Sequence, residues 1–356
     1  MAGCLGRSSI SERAVVPLED VPTRRPSDRL WNVPTDLGLY RRSDHGAEQL
    51  LEGTLSGGVP MDGIPSIDDP VFGRLTADLI GPRAIPAGEP VFGLIHNGEA
   101  RVYPQRILVW HEIVNDVVGD EPVAVTYCPL TGTAQCFRRG ESSFGVSGIL
   151  VNSNLVMFDR DTESLWPQIT GRAIYGDRTD EHLTEIQMVW TSAERWLECY
   201  PDSRILLSDT DYARSYGIDP YGEYNPRSGY YASDEVMFEL LHDDERLHPK
   251  RIVFGAQWDD TTVAVEKRHL RAEAMIDVSG GDEGAVAVYD PWLDTGYFVL
   301  NPNGHALAYE DGHLLVDGET ADVTTHGLRR VMTLESLWFA WAAFHPSTTI
   351  AVPKSG

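Results

Sequence analysis

The sequence predicts an α+β fold, rich in β structure, made of two copies of one α/β unit with approximate pseudo-twofold symmetry. Short runs of β-branched and aromatic residues separated by turn signals give the strands, and a few short amphipathic stretches give the helices. The third observation is internal recurrence. Val253-Phe-Gly255 repeats Val91-Phe-Gly93 at an offset of 162 residues (253 minus 91), and Leu270 and Gly281-Asp-Glu283 repeat Leu108 and Gly119-Asp-Glu121 at the same offset. Carried on, the offset places Tyr289-Asp290-Pro291 on Tyr127-Cys128-Pro129. Near the end, Trp341 and Pro346 repeat the spacing of Trp196 and Pro201, with Ile350 placed like Ile205.

In chain order, residues 1–58 are polar and interrupted by Pro17, Pro22, Pro26 and Pro34, which predicts a flexible leader or tether. The segment from Ser56 to Pro70 is a chain of turn signals of the kind that wraps over a domain. The first lobe, 59–207, opens on two strands flanking Asn97-Gly98, the commonest two-residue hairpin turn. Pro104 then starts a helix with Ile107, Trp110, His111 and Val114 at spacings of three and four. Strands follow at Val123 to Cys128, Thr133 to Arg138, Phe144 to Leu150 and Asn154 to Phe158. Thr191 to Tyr200 reads as a helix capped by Thr191, with Glu194 completing a capping box. Residues 208–251 form a tyrosine-rich connecting insertion, too aromatic for a plain linker, and 252–356 is a second, degenerate lobe.

The chain has 356 residues, 42% of them hydrophobic, enough for two domains of ordinary size. Asp and Glu number 54 against 29 Lys and Arg, for a net charge of -25, and lysine occurs only at positions 250, 267 and 354. Such an acidic, lysine-poor surface suits a halophile, because concentrated salt screens the self-repulsion. It excludes a nucleic-acid partner, since no basic stripe exists to displace counterions from phosphates. Met1-Ala-Gly-Cys4 is similar to the end of a lipoprotein signal whose apolar segment would lie upstream. If the true start lies there, Cys4 is a lipidation site and the protein sits at the cell surface, membrane-bound only through that anchor. The alternative is a cytoplasmic protein. No P-loop, His-Glu-x-x-His, Gly-x-Ser-x-Gly or paired-cysteine motif is present.

Chemistry concentrates in the first copy. Cys128 stands at a strand end before Pro129, where the second copy has Asp290. As a functional thiol it needs a lowered pKa, for which His111 is the nearest base and the amides of the Leu130-Thr-Gly-Thr turn are anion donors; as a buried cysteine it is a small hydrophobe. His111 and Asn115 would share one helix face, and Glu112 and Asp116 another. Cys128 and His111 together suit one soft or borderline metal ion, copper or zinc. In the segment peculiar to the first copy, Asn154, Asp159, Arg160, Trp166 and Gln168, with Thr131 and Thr133 of the turn, are candidates to bind a small polar ligand. Asp159 with Arg160 also reads as a salt bridge at a turn, and Trp166 as core.

Trp110-His-Glu-Ile-Val-Asn-Asp116, Thr126-Tyr-Cys-Pro-Leu-Thr-Gly-Thr133, Val146-Ser-Gly-Ile-Leu, Asn154 to Arg160, Thr162 to Trp166 and Asp219-Pro-Tyr221 together resemble the bacterial and archaeal domain-of-unknown-function family 3179. The resemblance runs from about Gly57 to Pro346 and implies no activity. It does imply a Tyr-Cys-Pro-Leu-Cys-Gly-Thr motif, in which Thr131 here replaces the second cysteine. A two-thiol role would then need Cys136 as substitute. Three functions follow as expectations: an extracytoplasmic thiol-dependent binding or redox-related protein, a cysteine-nucleophile hydrolase or transferase, or a non-catalytic binder of a small molecule.

Overall fold

The structure, a computed structural model, describes residues 42–81, 85–278, 284–321 and 326–353. It is β-rich with few helices, as expected. Cys4 lies outside the described residues. The leader was expected to run to residue 58, yet the chain is already folded from 42: Ala47–Glu52 is helical and Leu55–Ser56 pairs with Leu150 and Ile149. Leu50 supplies the reason, because it is fully buried on the core and holds this segment down. Among the described residues no helix is long and apolar enough to cross a membrane.

The N-terminal half begins with β1 (Pro90–His96) and β2 (Glu99–Pro104), joined by Asn97-Gly98, both at positive φ as this tight turn requires. Helix α1 (Gln105–His111) follows, starting after Pro104. It is one turn shorter than a face shared by His111 and Asn115 would need. Glu112 takes the left-handed conformation (φ 57°) and ends the helix, so Asn115 and Asp116 belong to strand β3 (Ile113–Val118), whose β-branched residues favour extended backbone. Strands β4 (Glu121–Cys128), β5 (Thr133–Arg138), β6 (Phe144–Val151) and β7 (Asn154–Asp159) complete two antiparallel layers. The half closes with β8 (Met188–Ser192), α2 (Ala193–Cys199) and β9 (Arg204–Leu206). The α2 cap is Ser192 rather than Thr191: its side chain accepts from the Arg195 N–H. The helix starts at Ala193, so the cap position falls on Ser192, the last residue of β8, and Thr191 lies one residue too early.

In the C-terminal half come β10 (Ile252–Trp258), β11 (Thr261–Glu266), α3 (Lys267–Glu273), β12 (Met275–Asp277), β13 (Gly284–Asp290), β14 (Thr295–Asn301), β15 (Arg329–Val331), β16 (Thr333–Leu337), α4 (Trp338–Phe344) and β17 (Thr349–Ala351). One sheet is ordered β8-β1-β2-β9, with Phe72–Arg74 added outside β9; another is ordered β16-β10-β11-β17. In both, the last strand joins parallel to its neighbour. The sheets β3-β4-β5 and β12-β13-β14 are each extended by a further antiparallel strand, Glu185–Ile186 and β15.

The two halves share their cores. Helix α4 packs in one cluster with Tyr127, Leu155 and Met157 of the N-terminal half, while α2 contributes Ala193, Trp196 and Cys199 to a cluster with Val288, Trp292 and Val299 of the C-terminal half. Each of these helices presses a tryptophan onto a glycine of its own sheet. A Cβ on Gly93 would lie 1.8 Å from the Trp196 ring, and one on Gly255 2.4 Å from the Trp341 ring. Both indoles then donate to a hydroxyl seven residues on, Trp196 to Ser203 (3.1 Å) and Trp341 to Thr348 (2.9 Å).

Gly93→Ala is therefore expected to destabilise the protein by roughly 1–3 kcal/mol, the usual range for overpacking a filled core. Chemical denaturation checks this; an unchanged unfolding midpoint would contradict the contact.

Candidate functional site

Cys128 ends β4, and the turn Pro129-Leu-Thr-Gly132 returns the chain to β5 with Cys128 opposite Thr133. The thiol is 1% exposed, and its surroundings are polar. The Leu155 N–H donates to Sγ at 3.4 Å, and Sγ–H points at the Ser153 carbonyl at 3.7 Å. Burial pushes the thiol up to about 11 and the Glu112 carboxyl adds to the rise, while the hydroxyl and N–H of Thr131 and the N–H of Leu155 pull the other way. The backbone N–H that hydrogen-bonds the sulfur is that of Leu155, outside the expected Leu130-Thr-Gly-Thr turn. At neutral pH, however, Cys128 is a thiol, not a thiolate.

His111 is not its partner. Nδ1 hydrogen-bonds the Pro65 carbonyl at 2.7 Å and Nε2 the Tyr216 hydroxyl at 2.7 Å, with Tyr212 packed on the ring. Burial lowers the His111 pKa, keeping the imidazole neutral as a bridge between the wrapping segment and the tyrosine-rich insertion. The residue next in the chain, Glu112, is buried as well. Desolvation alone lifts its carboxyl to about 8, so it too is protonated at neutral pH.

Cys136 cannot stand in for a second thiol at this site. It pairs with Val125, three residues before Cys128, and an odd separation puts the two side chains on opposite faces of the sheet. Both cysteines are free. Nor do the described residues include a group of three or more His, Cys, Asp or Glu side chains arranged to hold a metal ion. With both nitrogens of His111 engaged, the expected copper or zinc set of Cys128 and His111 does not fit this geometry.

Thr131, Thr133, Asn154 and Gln168 do converge. The Thr133 hydroxyl donates to Gln168 Oε1 (2.7 Å), Asn154 Nδ2 donates to the same oxygen (2.8 Å) and to Thr131 Oγ1 (3.1 Å), and Gln168 Nε2 donates to Thr126 Oγ1 (3.0 Å). All five side chains are buried, and the network ties β4, β5 and β7 together under the turn. Asp159, Arg160 and Trp166 lie apart from it. Asp159 accepts the Trp166 indole N–H (2.9 Å) and the Thr162 N–H (2.8 Å), shaping its own turn. Arg160 points outward to Asp62 (2.9 Å) and Ser66 (2.9 Å), strapping the 60–70 segment onto the sheet. The adjacent Asp and Arg therefore form no mutual salt bridge.

The insertion roofs this region. Tyr230 donates to the Leu130 carbonyl (2.9 Å) of the Cys128 turn, and burial raises the pKa of both Tyr230 and Tyr221. The two rings, 6.0 Å apart, form part of the wall of an open depression of about 520 Å³ that also takes in Asp219, Glu235 and Met237. Behind Tyr230 sits Lys250, fully buried, its Nζ 3.1 Å from the ring centroid and without a hydrogen-bond acceptor. Burial, reinforced by Arg227, lowers this lysine to about 6, so it is an uncharged amine at neutral pH. Two signals for Lys250 and the roof were present in the sequence, the rarity of lysine and the tyrosine density, but neither says where the insertion lands.

Set against known proteins, the chain matches the model of the family described as "Protein of unknown function (DUF3179)" over residues 61–348, most of its length, and belongs to that family. No curated protein and no solved structure matches it.

The Lys250 amine makes a stability prediction. Its folded pKa lies below the unfolded value, so between about 6 and ~10.4 the unfolded state holds the extra proton and stability rises with pH. Lys250→Met is expected to unfold at a higher temperature than the wild type at pH 7, with the gap narrowing towards pH 10. Calorimetry at several pH values checks this; a variant less stable at pH 7 would contradict it.

Proposed function

Starting from a family whose description names no activity, we propose that this protein is a thiol-dependent binding or redox-related protein whose working group is Cys128, acting as its thiolate. One observation carries the reading: Sγ of Cys128, at the end of β4, accepts a backbone N–H, that of Leu155 (3.4 Å), and its counterpart in the other half is an acceptor of backbone N–H groups as well. In the C-terminal half the equivalent turn holds a carboxylate, Asp290 Oδ1, which accepts the N–H groups of Trp292 (2.9 Å) and Leu293 (3.0 Å). At the offset of 162, Asp290 falls on Cys128 and Leu293 on Thr131. Converging backbone N–H groups at a turn favour negative charge. Sulfur thus occupies the place where the other half has the Asp290 carboxyl group, an acceptor of two backbone N–H groups.

This comparison rests on a second inference, that the two halves are copies of one unit related by an approximate twofold. Its support is that β1, β2 and α1 shifted by 162 give the spans of β10, β11 and α3, and that β8, α2 and β9 shifted by 145 give those of β16, α4 and β17. Local bonding agrees: Tyr127 N–H donates to Glu112 O (2.7 Å) as Tyr289 N–H does to Ala274 O (2.8 Å). Packing is reciprocal too, since β5 lies against β16 and β14 against β8.

A small neutral thiol reagent such as methyl methanethiosulfonate tests the reading in the folded protein at pH 9, with modified residues located by mass spectrometry. Cys128 is expected to react well before Cys136 and Cys199. Equal rates for all three, keeping pace with unfolding, would make Cys128 an ordinary core residue.

A further inference from the structure

Two of the chain's few lysines, Lys250 and Lys267, are buried. Lys267 is paired, its Nζ meeting Glu335 at 3.0 Å and Asp294 at 3.9 Å. Lys250 is not: its Nζ is sealed from solvent and makes no hydrogen bond or ion pair with a described residue. Aromatic rings stand there instead, the Tyr230 centroid at 3.1 Å and that of Phe339 at 5.0 Å. The backbone holds the residue from both sides, its N–H donating to His248 Nδ1 (3.1 Å) and its carbonyl accepting Arg227 Nη1 (2.7 Å). A buried amine with neither acceptor nor counter-ion costs stability where it stands. At the offset of 162 Lys250 falls on Gly88, so on the twofold relation proposed above the unit has no need of a side chain at that place.

An uncharged lysine keeps its lone pair for a bond to carbon. The ring on which Nζ rests belongs to Tyr230, which with Tyr221 walls the open depression of about 520 Å³. We propose that Lys250 is a covalent carbonyl site, its amine condensing with a small uncharged aldehyde that enters through this depression as the Tyr230 ring moves aside. The nitrogen lone pair attacks the carbonyl carbon. Both amine hydrogens then leave with the carbonyl oxygen as water, and a C=N bond remains, so no oxidant, reductant or anionic leaving group is involved. The unprotonated imine is neutral, as surroundings without a paired carboxylate demand. An aldehyde that carries a carboxylate would bring an unpaired anion among the same rings.

This site does not depend on the thiolate reading of Cys128. Tyr230 is the residue common to both regions, with its hydroxyl on the Leu130 carbonyl and its ring on Nζ. Burial and Arg227, opposed by Glu235, hold the amine near 6, whereas an ordinary lysine at ~10.4 is almost wholly protonated at pH 7.

The test is reductive trapping of the full chain at pH 7 with propionaldehyde and cyanoborohydride, which turns an imine into a stable secondary amine, with the modified lysines located by mass spectrometry. The same protein unfolded in guanidinium chloride gives the reference rate for each lysine, so no variant has to fold. Lys250 is expected to be labelled at least ~10-fold faster in the folded protein than in the unfolded one, while the ion-paired Lys267 is labelled more slowly. Labelling of Lys250 at or below its unfolded rate would overturn the proposal, since the amine would then be only a buried structural group. Glyoxylate in place of propionaldehyde tests the ligand class: the preference of Lys250 for the uncharged aldehyde should be at least ~10-fold greater folded than unfolded, and an equal preference in the two states would contradict the neutral-ligand assignment.

Discussion

The turn that follows β4 is the junction on which the N-terminal half depends. Its carbonyls reach both other parts of the chain: Thr131 O accepts the Leu337 N–H of the C-terminal half (3.0 Å), and Leu130 O accepts the Tyr230 hydroxyl (2.9 Å). Gly132 sits at φ 60°, with Leu337 and the Tyr224 hydroxyl close to where a side chain would go. Strand end, partner half and insertion therefore meet within five residues. The acceptor at its centre has to be small and able to take N–H donors, and a thiol meets that demand at the cost of a buried ionisable group.

The halves resolve their buried ionisable groups differently. In the C-terminal half charges are paired: Lys267 contacts Glu335 at 3.0 Å, and Arg271 contacts Asp294 at 2.6 Å. Paired charges of this kind are costly to break singly and chemically inert. Around Cys128 the groups are held neutral by desolvation instead, the thiol by a wide margin, Glu112 near 8 and Lys250 near 6. Neutral buried groups with shifted pKa values retain the capacity to gain or lose a proton, which ion-paired groups give up. That contrast is what supports the site proposed around Cys128.

Much of the architecture is legible in the sequence because it depends on short-range signals. Asn97-Gly98 sets its hairpin, Pro104 starts its helix, and the alternation from Phe144 to Asp159 gives two strands. The polar residues of the 154–168 segment could be picked out too, and Thr131, Thr133, Asn154 and Gln168 meet in space. What local patterns could not convey was contact across sequence. His111 looked free on a helix face, but the helix stops there and Tyr216, over a hundred residues away, takes its second nitrogen. Glu112 was expected to share a helix face with Asp116, whereas a left-handed φ ends the helix at Glu112 and leaves it buried. The distinction between Arg160 as strap and Asp159 as turn acceptor likewise depends on the 60–70 segment folding back.

The most direct test is to follow the Cys128 Cβ resonance of cysteine-labelled protein by carbon NMR across an alkaline titration, with the backbone amide spectrum reporting the fold. If the turn accepts an anion, the resonance moves from its thiol to its thiolate position at about pH 11 or below while the amide spectrum remains native. If the resonance shifts only together with loss of the native amide spectrum, the sulfur cannot ionise in place and the account of the site is wrong.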